Sequence, residues 1–194
     1  FLFAIDSEGH ELNASNLLSR TLRLQQIVAG FLGDAPIACN RLLALKDAIE
    51  LTNNGQFIIW TIFKSTYRAI SKLLDEMKIS FGMLTGDVDA ANRQLTMDSF
   101  QSGGVRALIA HPKAGGVGVN LTAAAFSIHY TRNYNLVDDL QAEARNYRGG
   151  SEIHNRITRI DIVSPGTIDE SIVEALREKK SVQDFILGLK KGKI

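Results

Sequence analysis

The chain has 194 residues, of which 45% are hydrophobic and 22% charged, and its formal net charge is +1. That is enough for one domain with a real core plus an appendage, and it excludes overall basicity as the means of holding a nucleic acid, which would have to meet a local patch instead. The single cysteine, Cys39, excludes a disulfide framework and a four-cysteine metal site, and fits a reducing compartment.

Phe1–Ile5 is a short apolar run followed by turn residues Asp6 to His10. The chain begins without Met, and a piece of a longer protein is expected. Asn13 to Asn16 offers a helix cap, and Leu17, Leu18, Leu22, Leu24, Ile27 and Val28 follow at helical spacing as far as Gly30 and Gly33. Asp34-Ala-Pro36 should break the chain. Asn40 to Leu51 predicts a second amphipathic helix, so residues 1–55 read as a mostly helical lead-in and 56–194 as the main domain. Phe57-Ile-Ile-Trp-Thr-Ile-Phe63 is an almost unbroken apolar run, as expected of a strand buried on both faces. Trp60 within it belongs to the core. Predicted strands follow at Phe81–Leu84, Ala107–Ala110, Phe126–Tyr130 and Ile157–Val163. Helices are predicted between them at Ser65–Met77, Asp89–Phe100 and Val137–Tyr147. Thr167 to about Leu189 should form a long closing helix with Lys190, Lys191 and Lys193 beyond its end. Such alternation predicts an α/β domain with a parallel sheet, in which ligands bind at the carboxyl ends of the strands. No apolar run approaches the roughly 18 residues of a membrane span, and no signal peptide is visible.

Gln141, Arg145 and Arg148 stand at i, i+4 and i+7, on one face of their helix. Two guanidinium groups about one turn apart repel each other unless an anion lies between them, and their planar forks suit phosphate; a solvated basic helix face is the other reading of this stretch. Lys113-Ala-Gly-Gly-Val-Gly-Val-Asn120 follows the third strand. Its glycines allow backbone to approach phosphate or sugar, and a plain tight loop is the other reading. A dinucleotide fingerprint fails, because Leu121 stands where the third glycine is needed. Lys64-Ser65-Thr66 opens a helix where hydroxyls and amides suit a phosphate, or serve as a simple cap. Gly86 to Arg93 is similar, with an arginine one turn into the helix. His10, His111, His129 and His154 lack ligand spacing, so no metal is assigned. The chain contains no Gly-x-x-x-x-Gly-Lys-Ser/Thr and no acidic pair after an apolar strand. It has arginines for a terminal phosphate but no loop to cradle the others, as half of a two-lobed site would.

In this order and spacing, Lys113 to Ala124, Asp139-Leu-Gln-Ala-Glu-Ala-Arg-Asn-Tyr-Arg-Gly149 and Gly166-Thr-Ile-Asp-Glu-Ser-Ile172 resemble the second, RecA-like lobe of superfamily two helicases, specifically the Swi/Snf-type DNA translocases. The resemblance covers about residues 40–190. It implies a three-layer domain with a mainly parallel sheet and helices on both faces. It implies that Arg145 and Arg148 are arginine fingers reaching ATP on an N-terminal lobe, that Gln141, Gly116, Gly118 and Asn120 face the nucleotide, and that Mg2+ is held mainly by that other lobe. Lys64, Ser65, Thr66, Arg93 and Lys113 are implied to meet the DNA backbone. His111-Pro112 departs from the family's Ser/Thr before the glycine loop, and Gly149-Gly150-Ser151 departs from its Ile-Gly-Gln. These variants point to phage or bacterial members and a cytoplasmic setting. A catalytically silent RecA-like binding module is the alternative, and a dinucleotide-binding oxidoreductase domain the weaker third.

Overall fold

The computed structural model describes residues 14–33, 35–114, 120–147 and 149–179. Helix α1 (Ala14–Val28) leads into a small antiparallel hairpin of β1 (Phe31–Leu32) and β2 (Ala35–Pro36). This hairpin stands where a simple chain break was expected. Gly30 and Gly33 take φ of 95° and 63°, a region only glycine enters freely, and so turn the chain back on itself. Then come α2 (Arg41–Glu50), β3 (Phe57–Trp60), α3 (Lys64–Glu76), β4 (Phe81–Leu84), α4 (Ala90–Gln101), β5 (Ala107–Ala110), β6 (Phe126–His129), α5 (Leu136–Asn146), a 3-10 turn (Ser151–Ile153), β7 (Thr158–Asp161) and α6 (Ile168–Arg177).

The five longer strands pair in parallel in the order β4-β5-β3-β6-β7. All four residues of β3 and of β5 are buried, because helices cover both faces of the sheet centre. Alternate side chains serve opposite cores. Phe57, Ile59, Ile109 and Ile128 meet α2 and α3 through Leu45, Ile49, Ile70 and Leu74. Ile58, Trp60 and Leu108 meet Phe100 of α4 and Ala142 of α5. Full burial of each such side chain contributes roughly 1.5–3 kcal/mol. Leu45, Ala48 and Ile49 of α2 thus share one core with β3, and the line drawn after residue 55 passes through that core. Helix α1 packs Leu24 and Val28 on Ile168, Ile172 and Leu176 of α6.

Helix α6 ends at Arg177, and residues 180–189 of the run expected to reach about Leu189 lie outside the described residues. Lys179 adopts φ of 53°, and the N–H groups of Glu178 and Lys179 donate to the carbonyls of Glu174 and Leu176 at 2.9 and 3.1 Å, which closes the last turn. The lysines at 190, 191 and 193 lie outside the described residues. No helix among the described residues is long and apolar enough to cross a membrane.

Gly82 lets α4 lie close on β4. A Cβ there would stand 2.4 Å from Thr96 Cγ2 and 3.3 Å from Leu108 Cδ2. Gly82→Ala is therefore expected to lower the unfolding free energy by about 1–3 kcal/mol, the usual cost of overpacking. Adding Thr96→Ser should recover most of that loss. Urea titration of the single and double variants checks both, and an unmoved midpoint for Gly82→Ala would show that α4 has room to shift.

Candidate functional site

Parallel register sets Leu84, Ala110, Trp60, His129 and Asp161 side by side along one edge of the sheet, the carboxyl edge. Helix α5 arrives there directly from β6. Asn135 caps it by accepting from the Val137 N–H at 3.0 Å, and Asn133 donates to Asp138 Oδ2 at 2.8 Å. Asp138 and Asp139 lie in the first turn, where the helix dipole favours carboxylates. Arg145 falls on the buried side of α5 at 9% exposure. It lines a cavity of about 10 Å³ together with Trp60, Leu84, Ala110, His111 and Leu121. That holds about one water, far less than a nucleotide. Among the described residues no group of three or more His, Cys, Asp and Glu is placed to hold a metal ion. Gln141 is exposed one turn before Arg145. Arg148, Gly116 and Gly118 lie outside the described residues.

The segment that follows the glycine loop is tied to α5. The Leu121 N–H donates to the Arg145 carbonyl at 3.0 Å. Asn120 Oδ1 accepts from the Thr122 N–H at 3.2 Å, so in this state its side chain holds the loop. His154 Nε2 lies 2.9 Å from the Thr122 carbonyl, which links the 3-10 turn to the same segment.

The expected DNA contacts divide. Lys64 is exposed and pairs with Asp87 at 2.5 Å. Ser65 is half-buried in the first turn of α3. Thr66 is a correction: it is fully buried, its hydroxyl donates to the Phe63 carbonyl at 2.6 Å and lies 2.7 Å from that of Thr61, so it presents nothing to a backbone outside. Arg93 donates to the carbonyls of Val88 at 2.8 Å and Ala114 at 3.1 Å, which staples the β4 loop to the β5 loop. Lys113 is exposed, with Nζ 3.3 Å from Asp138 Oδ2. Lys64 and Lys113 would each have to exchange a carboxylate for a phosphate.

A partly buried ionic cluster was not anticipated. Arg132, just past β6, lies 3.0 Å from both Asp139 of α5 and Asp161 of β7. Arg159 approaches the same two aspartates at 3.7 and 3.6 Å and contacts Glu143. Burial pushes the Asp139 and Asp161 carboxyls up, against the pull of Arg132. The register that pairs His129 with Asp161 could have signalled this cluster, since it brings the ends of β6 and β7 together.

His129 stacks on Trp60 with ring centroids 6.5 Å apart, and burial, then Arg132, holds it neutral, well below its ordinary value of 6.5. His111 is lowered by burial first and then by Lys113, against Asp138. Both histidines resist protonation when folded and accept it when unfolded. Their contribution is therefore complete above pH 6.5 and is lost as pH falls. Stability is expected to drop below about pH 6.5 by up to roughly 1.4 kcal/mol per pH unit for each histidine. Denaturant midpoints between about pH 7.5 and 5.5 read this out, and a flat profile would refute it.

The model of the helicase conserved C-terminal domain matches residues 40–150, more than half the chain. The chain belongs to that family. Similar proteins include YwqA of Bacillus subtilis, 31% identical over 86% of this chain and 18% of its own length. The ATP-dependent helicase fft2 of Schizosaccharomyces pombe is 33% identical over 69% of this chain and 10% of its own. The DNA repair and recombination protein RAD54B of Gallus gallus is 30% identical over 73% and 16%. The chain thus spans less than a fifth of the length of these relatives. The C-terminal part of the Fun30 ATPase domain superposes with a TM-score of 0.67 at 18% identity, over 98% of this chain and 74% of that one. The chain is a superfamily two, Swi/Snf-type C-terminal lobe with a RecA-like fold, as its motifs implied.

Proposed function

We propose that this lobe is the C-terminal half of the motor of an ATP-dependent double-stranded DNA translocase. Arg145 and Arg148 meet the terminal phosphate of ATP bound on an N-terminal lobe, while Gln141, Gly116, Gly118 and Asn120 line the near side of that cleft. Mg2+ and the remaining phosphates belong to the other lobe, and this segment alone is inactive as an ATPase. Lys64, Ser65, Arg93 and Lys113 face the DNA backbone, and ATP-dependent closing and opening of the lobes moves the protein along it. A cytoplasmic setting in a bacterium or an infected cell is our expectation. The observation that most supports this reading is the position of Arg145 at the carboxyl edge, beside the ends of β3, β4 and β5. Ligands of parallel α/β sheets bind at that edge.

The full-length protein should hydrolyse ATP only with DNA present. DNA affinity should fall steeply with salt and vary little with sequence, because backbone contacts release counterions and read no bases. Lys64→Ala and Lys113→Ala should each make the salt dependence shallower by about one unit of slope in log K against log salt. ATP turnover indifferent to DNA would overturn the proposal.

A further inference from the structure

Helix α5 has little apolar means of fixing its own orientation. Its buried residues are Asp138, Asp139, Ala142, Arg145 and Asn146, of which only Ala142 is apolar. Val137 and Leu140 are exposed, at 59% and 47%, and Leu136 packs only at the helix start, against the α6 cluster. A helix whose buried face is mostly polar is free to roll unless polar contacts stop it, since apolar packing is what normally sets helix orientation. Asp138 is held at the start of the helix by Asn133 and Lys113, and a second set of polar contacts stands on the next flank. Asp139 and Glu143 stand one turn apart and face Arg132 and Arg159, which join them to Asp161 at the end of β7. Arg145 lies about 120° round the helix from Asp139, at 100° per residue. Rolling α5 on its axis therefore opens the Arg132–Asp139 contact and swings Arg145 away from the strand ends together.

Arg132 itself is held from three sides. Its main-chain carbonyl accepts from Gln25 Nε2 of α1 at 2.6 Å, and its guanidinium spans the two aspartates. We propose that Arg132, bridging Asp139 of α5 and Asp161 of β7, is a positioning residue that sets the rotation of α5 and hence the aim of its arginine face. Buried ion clusters add little net stability compared with apolar groups of equal volume, and in some systems they select one geometry among several. A lysine cannot replace Arg132, because a single ammonium lacks the breadth of a guanidinium whose Nη2 and Nε stand 3.0 Å from one carboxylate each.

The catalytic readout rests on the motor reading above, so the test carries a second readout that does not. In the full-length protein with saturating DNA, Arg132→Lys and Asp139→Asn should lower kcat for ATP by on the order of tenfold to a hundredfold, as small misplacements of reacting groups do. The KM for ATP should stay near the wild-type value. Asp139→Glu, which keeps the charge, should restore much of kcat to the level of the unaltered protein. Independently, amide hydrogen exchange should quicken at residues 140–146 and 158–161 in both Arg132→Lys and Asp139→Asn, with the rest of the lobe unchanged. Unchanged exchange in α5 would overturn the clamp, whatever happens to turnover. So would a kcat loss matched by a general rise in exchange, which marks plain destabilisation. If the unaltered protein fails to hydrolyse ATP with DNA, the motor reading falls, and the exchange comparison still decides the clamp.

Discussion

Arg145→Ala and Arg148→Ala should each cut DNA-stimulated ATP turnover in the full-length protein by on the order of a thousandfold, the lower end of what an arginine finger contributes. The reason is electrostatic. Charge spreads over the transferred phosphoryl group, and donors already fixed toward it stabilise that charge without reorganising. Under the proposed function Arg145 would be such a donor: it is nine-tenths buried among the strand ends, and its carbonyl is tied to the Leu121 N–H. ATP affinity should change only a few-fold, because an interaction made mainly in the transition state lowers kcat and leaves binding. Arg145→Lys should recover little, since a point charge cannot reproduce the planar fork. Single-turnover hydrolysis alongside fluorescent-nucleotide titration separates these effects. Turnover within a few-fold of wild type in both alanine variants would sink the finger assignment and favour a silent binding module.

Arg41→Met is the largest stability loss we expect, about 3–5 kcal/mol, the cost of removing one partner from a buried charged pair. Arg41 is 4% exposed and opens α2. It donates to the carbonyls of Tyr130 at 2.7 Å and Ile162 at 2.6 Å, to Ser164 Oγ at 3.3 Å and to Asp169 Oδ2 at 2.5 Å. One side chain thus ties α2 to the exits of β6 and β7 and to the first turn of α6. Methionine fills similar volume but leaves a buried carboxylate and two carbonyls without this donor. Arg41→Met combined with Asp169→Leu should be more stable than Arg41→Met alone, because the orphaned charge is gone. Equal denaturation midpoints for wild type and Arg41→Met would refute this account.

What the sequence disclosed follows from which features are local. β3 and β5 read clearly, since a strand covered on both faces is apolar throughout. The hairpin at Phe31–Pro36 did not, because two-residue strands carry no periodicity. That α2 caps the sheet and not a separate lead-in unit depends on Leu45 and Ile49 finding Ile59, a tertiary fact. The placement of Thr66 was recoverable: Thr66, Ile70 and Leu74 recur every fourth residue and mark the buried stripe of α3. Lys-Ser-Thr at a helix start drew attention to hydroxyl chemistry instead. The helical spacing of Gln141 and Arg145 was legible in the sequence, whereas Arg132 meets Asp139 and Asp161 only once β6 and β7 lie in register.

The strand order has a consequence for synthesis. β3 leaves the ribosome before any of its sheet partners, yet it belongs at the centre, with Phe57 pairing both Ala107 and Phe126. Until those later segments emerge, Phe57-Ile-Ile-Trp60 is an uncharged, β-prone stretch with both edges open. Even once β5 has docked, the edge meant for β6 stays unpaired, a template for a neighbouring nascent chain. Shortened versions of the lobe that stop before Phe126 would therefore be lost to aggregation instead of surviving as a looser fold, and the half of the chain that carries α5 protects the half that precedes it.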